Sequence, residues 1–191
     1  MPARLFDPST FGEVLERVRS GDRYAIEELF GEIQPRLLRF LHSQESRFAD
    51  DLAAEVWLAV AGGVSRFEGD WDDFRAWIFA IARRRVADHR RTAARRRTDV
   101  VAVERLEQHT SGDTTEDTAL DKISGQEAAA LVAAMLSGDQ AEVLLLRVLG
   151  DLDVEQVAGI MQRTPNWVRV TQHRGLQTLA KRLGPKIVVM R

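Results

Sequence analysis

Apolar residues recur at helical spacing along almost the whole chain, and this periodicity is lost over a long stretch only once. In the first helical segment Phe11, Val14, Leu15 and Val18 follow the i, i+3, i+4, i+7 spacing that places side chains on one face of a helix. The spacing continues to about residue 97 and resumes near residue 126, and no segment alternates with the period of a strand. The sequence therefore predicts an all-α chain built from two small helical domains.

Residues 98–125 separate these two helical parts. From residue 98 to residue 127 there are eight acidic and two basic residues, and apolar residues are sparse. Such a composition predicts a flexible, largely extended acidic linker. The predicted organisation is a helical domain over 10–97, the linker over 98–125, a second helical domain over 126–183 and a short tail over 184–191.

Several helix ends and core positions follow from the pattern. Ser9 or Thr10 is a candidate cap for the first helix, and the second helix is predicted to begin near Arg23. In that second helix Ile26 and Phe30 are among the residues expected to point into the core. A third helix is predicted over 49–65, and Phe74 and Trp77 are expected in the core of a fourth.

Composition excludes several classes of protein. The chain of 191 residues has no cysteine, which excludes disulfides and a cysteine nucleophile. No apolar stretch is long enough to span a membrane, and the N-terminus has no secretory pattern, so we expect a cytoplasmic protein without membrane insertion. Asp51 and Glu55 share a helix face, but no further ligand is spaced to complete a metal shell. No catalytic constellation is visible, so we expect no enzyme, metal, cofactor or small-molecule substrate.

The charges are segregated although the net charge is only −2. Residues 83–97 contain eight arginines and one aspartate, and residues 161–191 contain seven Lys or Arg and no acid. Basic blocks indicate contact with phosphates, whereas the alternative for a single block is a solvated helix face. Two such blocks, each on a helical pattern, favour nucleic-acid binding.

The second basic block follows a short amphipathic helix, and the pair has the spacing of a helix-turn-helix. Residues 152–161 form the short helix, with the small residue Ala158 where another helix would cross closely. After a turn, Val168 and Leu176 are expected to point inward from the second helix. Its outer positions carry Asn, Arg, Gln and Val, which suit base edges and the thymine methyl in a major groove. The alternative is a packed helix pair with a polar exterior.

Short motifs then identify the chain as similar to a known family. The motifs that carry the resemblance follow in the family's order: Asp50-Asp51-Leu52-Ala53-Ala54-Glu55-Val56-Trp57, Phe67-Glu68-Gly69-Asp70 with the segment 74–83, Asp88-His89-Arg90-Arg91, and the segment 139–143 with the helix-turn-helix. With these motifs the chain resembles an extracytoplasmic-function (ECF) sigma factor of bacterial RNA polymerase, in the sigma-70 family. Three positions depart from the family pattern. Ala54 replaces a usual Gln, Ser137-Gly138 replaces a common Leu-Pro, and residues 166–174 contain fewer arginines than usual.

The resemblance implies a promoter-specificity subunit rather than an enzyme, with a region 2 helical bundle and a region 4 helix-turn-helix. The implied partners are promoter DNA, core RNA polymerase through the clamp of its largest subunit and the flap of its second largest, and an anti-sigma factor as a candidate. It implies polymerase docking by Asp50, Asp51, Glu55 and Trp57. It implies minus-10 contact and melting by Phe67, Glu68, Gly69, Asp70, Trp71, Arg83, Arg84, His89, Arg90 and Arg91, and minus-35 contact by Asn166, Trp167, Arg169, Val170, Gln172, His173 and Arg174.

Some alternatives stay open at the level of sequence. Trp71 is either a stacking surface for a base or an anchor at the edge of the core. The linker is either a solvated tether or, as the family implies, a segment lying in the RNA-exit path. An autonomous regulator that uses the same helix-turn-helix, or a structural helical adaptor, would lack a use for the acidic motif around Asp51.

Overall fold

The computed structural model describes residues 7–100 and 125–184, and every regular element within these two ranges is helical. This confirms the all-α prediction. Most of the predicted linker, 98–125, and most of the tail lie outside the described residues. The helices are α1 (Phe11–Arg19), α2 (Arg23–Glu45), α3 (Ala49–Gly63), α4 (Trp71–Val100), α5 (Gly125–Met135), α6 (Gly138–Val148), α7 (Val154–Met161) and α8 (Pro165–Leu183), with short 3-10 turns at Pro8–Thr10, Ser46–Phe48 and Val64–Arg66.

Aspartate and threonine side chains cap three of the described helices, α2, α7 and α8. Asp22 accepts hydrogen bonds from the backbone N–H groups of Tyr24 and Ala25 at the start of α2, as N-cap carboxylates do. At the chain's first turn Asp7 accepts from the Ser9 N–H, while the Thr10 side chain makes no capping bond to α1. Thr10 occupies the N-cap position of α1, which is one of the two positions predicted, but its hydroxyl donates to the carbonyl oxygen of Asp7 instead of accepting from the helix.

The first four helices form one unit, which we call the N-terminal unit (α1–α4). Phe40, Phe74 and Phe79 are completely buried or nearly so, and Leu37 and Ile33 pack with them. An aromatic cluster lies beside this core, where Phe67 stacks on Trp77 with 5.1 Å between ring centroids and contacts Phe74 edge-on at the same distance. Phe74 and Trp77 therefore pack in the core as expected.

The last four helices form the C-terminal unit (α5–α8). Its core contains Val143, Leu146, Leu152, Val157 and Val168, all with at most 1% of their surface exposed. Helix α8 crosses α6 closely at Gly175. A Cβ atom at that position would lie 3.0 Å from Cδ1 of Leu144.

Three residues expected inside lie at the surface instead. Ile26 and Phe30 are 44% and 42% exposed on α2, and Leu176 is 49% exposed on α8. In α8 the buried stripe is Val168, Thr171 and Gly175, which places Leu176 on its flank. The inward expectation was wrong because helical spacing fixes which residues share a face but not where the buried face ends.

The two units contact each other along two helix pairs, α2 with α5 and α4 with α7. Helix α4 is longer than expected and runs to Val100, whereas α3 ends at Gly63, short of the predicted residue 65. In the part of the chain that the structure describes, no helix is long and apolar enough to cross a membrane. The same residues hold no group of three or more metal-binding side chains.

Candidate nucleic-acid interface

The arginine-rich part of α4 presents three different faces. Successive residues in an α-helix are rotated by about 100°, so positions 84, 88, 91 and 95 share one face, while positions 83 and 90 share another. Ala82 and Val86 are buried and mark the face that packs on the core. The arginines of this run therefore differ in what they can contact.

Arg84, Arg91 and Arg95 form an exposed stripe opposite the core. Arg84 makes no ion pair with any side chain that the structure describes. Among the described side chains, Arg91 pairs only with Asp88, one turn earlier on the same stripe. An i, i+3 pair at the surface contributes little free energy, so both guanidinium groups are available to phosphates.

Three further arginines of the run, Arg83, Arg85 and Arg90, contact neighbouring helices. Arg90 pairs with Glu45 at 2.6 Å at the end of α2, and Arg85 lies 3.8 Å from Glu55 of α3. Arg83 reaches the C-terminal unit, where its Nε lies 3.0 Å from a carboxylate oxygen of Glu142. His89 is half-buried, with its ring 4.4 Å from the ring of Phe48.

The loop before α4 divides into a packed residue and an exposed turn. Phe67 belongs to the aromatic cluster, whereas Glu68, Gly69 and Asp70 are exposed. Gly69 has a φ of +144°, a conformation that side chains disfavour. Asp70 accepts a hydrogen bond from the N–H of Asp73 at 2.9 Å, and the Asp73 carboxylate accepts from the N–H of Asp70 at 3.2 Å. These reciprocal bonds fix the turn where α4 begins.

Trp71 lies in the core rather than on the loop surface. It is 7% exposed, and its ring packs against Phe11 at 5.6 Å and Phe74 at 6.3 Å between centroids. Of the two alternatives for this residue, burial favours the anchor at the edge of the core. Its position fixes the start of α4 and hence the direction of the exposed loop.

The helix-turn-helix is built from well-formed caps. Asp153 and Gln156 form a capping box at the start of α7, with hydrogen bonds of 2.7 and 2.9 Å. Helix α7 ends at Met161, and the next residue, Gln162, reverses the chain with a φ of 54°. Thr164 then caps α8 through the N–H of Trp167, and Pro165 occupies the first helical position. Helices α7 and α8 pack against each other, and Ala158 of α7 is buried.

The exposed side of α8 carries most of the residues predicted for duplex contact. Arg169 is exposed and pairs with Glu155 of α7 at 2.9 Å. His173 lies 2.9 Å from the Gln177 amide one turn later. Trp167 is half-buried under the Arg163 guanidinium at 5.4 Å, and Gln172 is half-buried on the flank. The remaining predicted residues on this exposed side are Asn166, Val170 and Arg174.

Helix α3 presents an acidic face on the side of the N-terminal unit. Asp50, Asp51 and Glu55 are exposed, and no shared metal-binding cluster forms among the described residues. Trp57 is half-buried: its Nε1 donates a hydrogen bond of 2.6 Å to Gln34, and its ring packs on Phe30 at 4.9 Å. The tryptophan therefore fastens α3 to α2 beside the acidic residues.

Exposed apolar side chains on α2 and α3 were missed by the sequence analysis. Leu58 is 74% exposed, and Phe30 and Ile26 lie partly exposed on α2. The signal for Leu58 was in the sequence, since it lies off the stripe of Leu52, Val56 and Val60 that α3 buries. Acidic and apolar side chains together form a surface that suits a protein partner.

Comparison with known families gives two matches along the chain. The Sigma-70 region 2 family model matches residues 29–96, and the Sigma-70, region 4 model matches residues 120–179. The first match covers most of α2, α3 and the arginine stripe of α4. The second covers the helix-turn-helix and nearly all of α8.

Relatives match almost the full length of the chain. It is 33% identical over 182 residues to the ECF RNA polymerase sigma factor ShbA of Streptomyces griseus, covering 91% of this chain and 95% of ShbA. It is 30% identical to the ECF RNA polymerase sigma factor BldN of Streptomyces coelicolor, covering 95% of this chain and 69% of BldN. The fold is similar to that of the sigma factor RpoE, solved in complex with the anti-sigma factor NepR from Bartonella quintana, with a TM-score of 0.63, 20% identity and coverage of 84% of this chain and 98% of that one.

Proposed function

The chain belongs to the ECF sigma factors of RNA polymerase, and from that premise we propose that it directs core polymerase to promoters by recognising minus-35 and minus-10 elements and helping to melt the DNA. A sigma factor supplies specificity, while the polymerase supplies the catalysis. The observation that carries the proposal is the combination of surfaces on one chain: an exposed arginine stripe on α4, an exposed recognition helix α8 and an acidic, partly apolar face on α3.

Helix α8 is proposed to read the minus-35 element as duplex DNA. In a helix-turn-helix the second helix enters the major groove, and its N-terminal residues meet the base edges. Arg169 is held only by an exposed ion pair with Glu155, with both side chains more than half exposed. Such a pair is worth about 0–1 kcal/mol, so Arg169 can leave it for a guanine edge or a phosphate at little cost.

The α4 stripe and the preceding loop are proposed to hold the minus-10 strand. Unstacking the duplex costs roughly a few kcal/mol per base step, which contacts to the separated strand must offset. Arg84 and Arg91 on the stripe supply positive charge for strand phosphates. The exposed turn at Glu68, Gly69 and Asp70 lies at the N-terminal end of the same helix, where a base leaving the stack would meet backbone and polar groups.

The α3 face is proposed as the surface that binds the clamp of the largest polymerase subunit. Asp50, Asp51 and Glu55 provide the charge that orients the complex, and Leu58 provides apolar area beside them. Charge complementarity accelerates association and fixes orientation, while buried apolar side chains provide most of the affinity. The C-terminal unit is proposed to contact the flap of the second-largest subunit.

The remaining partners follow from the family. A sigma factor acts where core polymerase and the chromosome are, so a cytoplasmic location is proposed. The sigma factor RpoE was solved with an anti-sigma factor, and by that likeness we propose an anti-sigma factor as a further partner. The acidic segment 98–125 is proposed to be the connection that allows the two DNA-binding units to span both promoter elements.

Run-off transcription tests this proposal directly. Purified bacterial core RNA polymerase is incubated with a pool of upstream sequences, with and without the chain. We expect discrete start sites that depend on the chain and share two sequence elements upstream. If no such start sites form, while the chain alone retains specific duplexes, the chain is an autonomous DNA-binding protein and the polymerase-binding proposal is wrong.

A further inference from the structure

We propose that residues 185–191 fold back along α8 and place their apolar side chains in a groove of the C-terminal unit. These residues, which we call the C-terminal segment, lie outside the described residues. The proposal goes beyond the proposed function and does not depend on it, because it concerns a property of the chain alone.

An apolar groove lies between α5, α6 and α8. It encloses a cavity of about 320 Å³, and Arg39 of α2 is the only charged residue among the described residues that border it. The apolar residues at its border include Val132, Leu145, Val148, Leu149, Leu176 and Leu179. We call this the α6–α8 groove. It suits an apolar occupant, because a polar group placed there would lose its hydrogen bonds to water.

Two aliphatic residues at the border of the α6–α8 groove are exposed to solvent. Val148 is 72% exposed, and Leu176 is 49% exposed. Burial of apolar surface is the main favourable contribution to folding. An occupant that covers these two side chains would therefore stabilise the C-terminal unit.

Helix α8 leads from the α6–α8 groove to the C-terminal segment. Leu176, Leu179 and Leu183 follow the i, i+3, i+7 spacing of one helix face, and the last two are half-buried. The helix then ends at Gly184, whose φ of 69° is a left-handed conformation that favours glycine. Pro185 follows, and a proline at this position cannot continue the helix. The chain therefore leaves the helix at the end of the leucine face.

The C-terminal segment has the composition and the length to fill the groove. Residues 187–190 are Ile, Val, Val and Met, with a basic residue on either side. An extended chain advances by about 3.3 Å per residue, against about 1.5 Å in a helix. Four extended residues after Gly184 therefore reach back by about 13 Å, and the helix rises by about 12 Å from Leu176 to Gly184. Residues 187–190 can thus lie beside Leu176 and Leu179.

Connectivity favours this occupant over a separate molecule. Because the segment is attached to α8, its effective concentration at the groove is on the order of millimolar. A second copy of the chain, or an apolar small molecule, would have to reach a similar concentration to compete. The segment is therefore the occupant that binds with the smallest loss of translational entropy.

Disulfide trapping in the full chain tests where the segment lies. The chain has no cysteine, so only the introduced pairs can form. Val188→Cys and Val189→Cys, which point to opposite sides of an extended segment, are each combined with Val148→Cys at the border of the groove. The matched control combines each with Gln177→Cys, an exposed position on α8 that is turned by about 100° or more from the three leucines.

We expect at least one of the two segment cysteines to form an intrachain disulfide with Val148→Cys about fivefold or more faster than with Gln177→Cys, because the bond needs Cα atoms about 4.4–6.8 Å apart. Equal rates at the two positions, or no disulfide at Val148→Cys, overturn the proposal. A disulfide between two chains, seen as a dimer on a non-reducing gel, would assign the groove to a second copy and also overturn it.

Hydrogen exchange measures the same contact without introduced cysteines. The test variant carries Ile187→Ser, Val188→Ser, Val189→Ser and Met190→Ser, and its control carries Lys186→Ser and Arg191→Ser. We expect the test variant to raise the exchange rate of the backbone amides of residues 176–183 by about tenfold, the effect of uncovering one buried aliphatic side chain. An unchanged rate, or an equal change in the control, contradicts the proposal.

A change at the border of the groove identifies what the segment contacts. Val148→Asp places a charge there, and because Val148 is exposed this change leaves the core of the C-terminal unit intact. If the segment covers the groove, the four serine substitutions should have no further effect on exchange in the Val148→Asp chain. Full additivity of the two changes would exclude the contact. None of these measurements uses polymerase or DNA, so their outcome is independent of that of the transcription experiment.

Discussion

At the scale of single residues, the arginines of α4 differ in their ion-pair partners because they point in different directions around the helix. Arg84 faces solvent without a described ion-pair partner, while Arg83 and Arg90 are each fixed by a carboxylate of another helix. An arginine that is already paired must lose that pair before it binds a phosphate. The run of eight arginines is therefore not one uniform surface.

Replacement of Arg84 tests this distinction. We expect Arg84→Gln to weaken binding of the complex with core polymerase to a promoter that contains a pre-melted minus-10 bubble. Loss of one phosphate contact with a single strand should also reduce the slope of log affinity against log salt by about 0.7. The control is Arg23→Gln, an exposed arginine on α2 that pairs with Glu27. An equal effect of the two variants would contradict the assignment of the stripe.

Asp22 is the residue whose titration should affect folding. The side-chain hydrogen bond from Arg17 and the backbone N–H groups of Ala25 and Tyr24 lower the pKa of Asp22 below its ordinary value of 3.8. A carboxyl group with a lowered pKa in the folded state stabilises the fold at pH above the unfolded value, and this stabilisation is lost as the pH falls through the folded pKa.

We therefore expect Asp22→Asn, which keeps the cap but removes the charge, to lower the thermal midpoint at neutral pH. The difference from wild type should shrink as the pH falls below 3.8. Thermal unfolding followed by circular dichroism over this pH range measures the difference. A difference that stays constant with pH would show that the charge of Asp22 does not contribute.

At the scale of helices, the acidic face of α3 is the surface proposed to bind polymerase, whereas the crossing of α8 over α6 contributes to the stability of the C-terminal unit. Asp51 is exposed and Asp50 and Glu55 lie beside it, so these residues are not needed for packing. Gly175 is buried, and its missing side chain sets the distance between two helices. Substitutions at the two places should therefore have opposite effects on binding and folding.

For α3, we expect Asp51→Arg to abolish detectable binding to core polymerase while helical content stays unchanged. Reversing a charge in a desolvated interface weakens the binding free energy by about 2 kcal/mol or more, which lowers the affinity by more than tenfold. Binding is measured by competition for core polymerase with a labelled wild-type chain. The control Glu27→Arg reverses an exposed acid on α2. Unchanged affinity of the Asp51 variant would contradict the α3 face as the binding surface.

For α8, we expect Gly175→Leu to destabilise the C-terminal unit by about 1–3 kcal/mol, the usual cost of overpacking. The new side chain would collide with Leu144, which already lies 3.0 Å from the position of a Cβ. Gly159→Ala is the matched control, because nothing lies within 4 Å of its Cβ position, and it should stabilise α7 by roughly 0.5–1 kcal/mol. Urea unfolding measures the free energy of unfolding of both variants. If Gly175→Leu leaves this free energy unchanged, the close crossing of α8 over α6 is excluded.

At the scale of the whole molecule, the two units meet through packed helices, α2 with α5 and α4 with α7, and through an ion pair between Arg83 and Glu142. Arg83 and Glu142 are about one-third and one-fifth exposed, so dissolved ions reach them. The screening length falls from about 10 Å at 0.1 M salt to about 3 Å at 1 M. We expect the radius of gyration from small-angle scattering to rise over this range for the wild type, and to change much less for the variant Glu142→Gln, which lacks the ion pair with Arg83. A compact wild type at high salt would contradict the prediction.

The sequence alone determined which residues form helices and which family the chain resembles. Apolar spacing and capping residues are local, so the helix-turn-helix, the acidic motif on α3 and the arginine run were all predictable. The sequence analysis placed Ile26, Phe30 and Leu176 in the core, and this was wrong. Apolar residues can occupy more than one face of a helix, and the neighbouring helices decide which face is buried.

Only the tertiary structure decided which charged residues are available. Trp71 could have been a stacking surface or a core anchor until its contacts with Phe11 and Phe74 were known. Arg83 and Glu142 are 59 positions apart, and no local pattern couples them. The physical reason is the separation along the sequence over which each interaction acts. Helix propensity acts over a few residues, whereas burial and ion pairing depend on helices that meet only after the chain has folded.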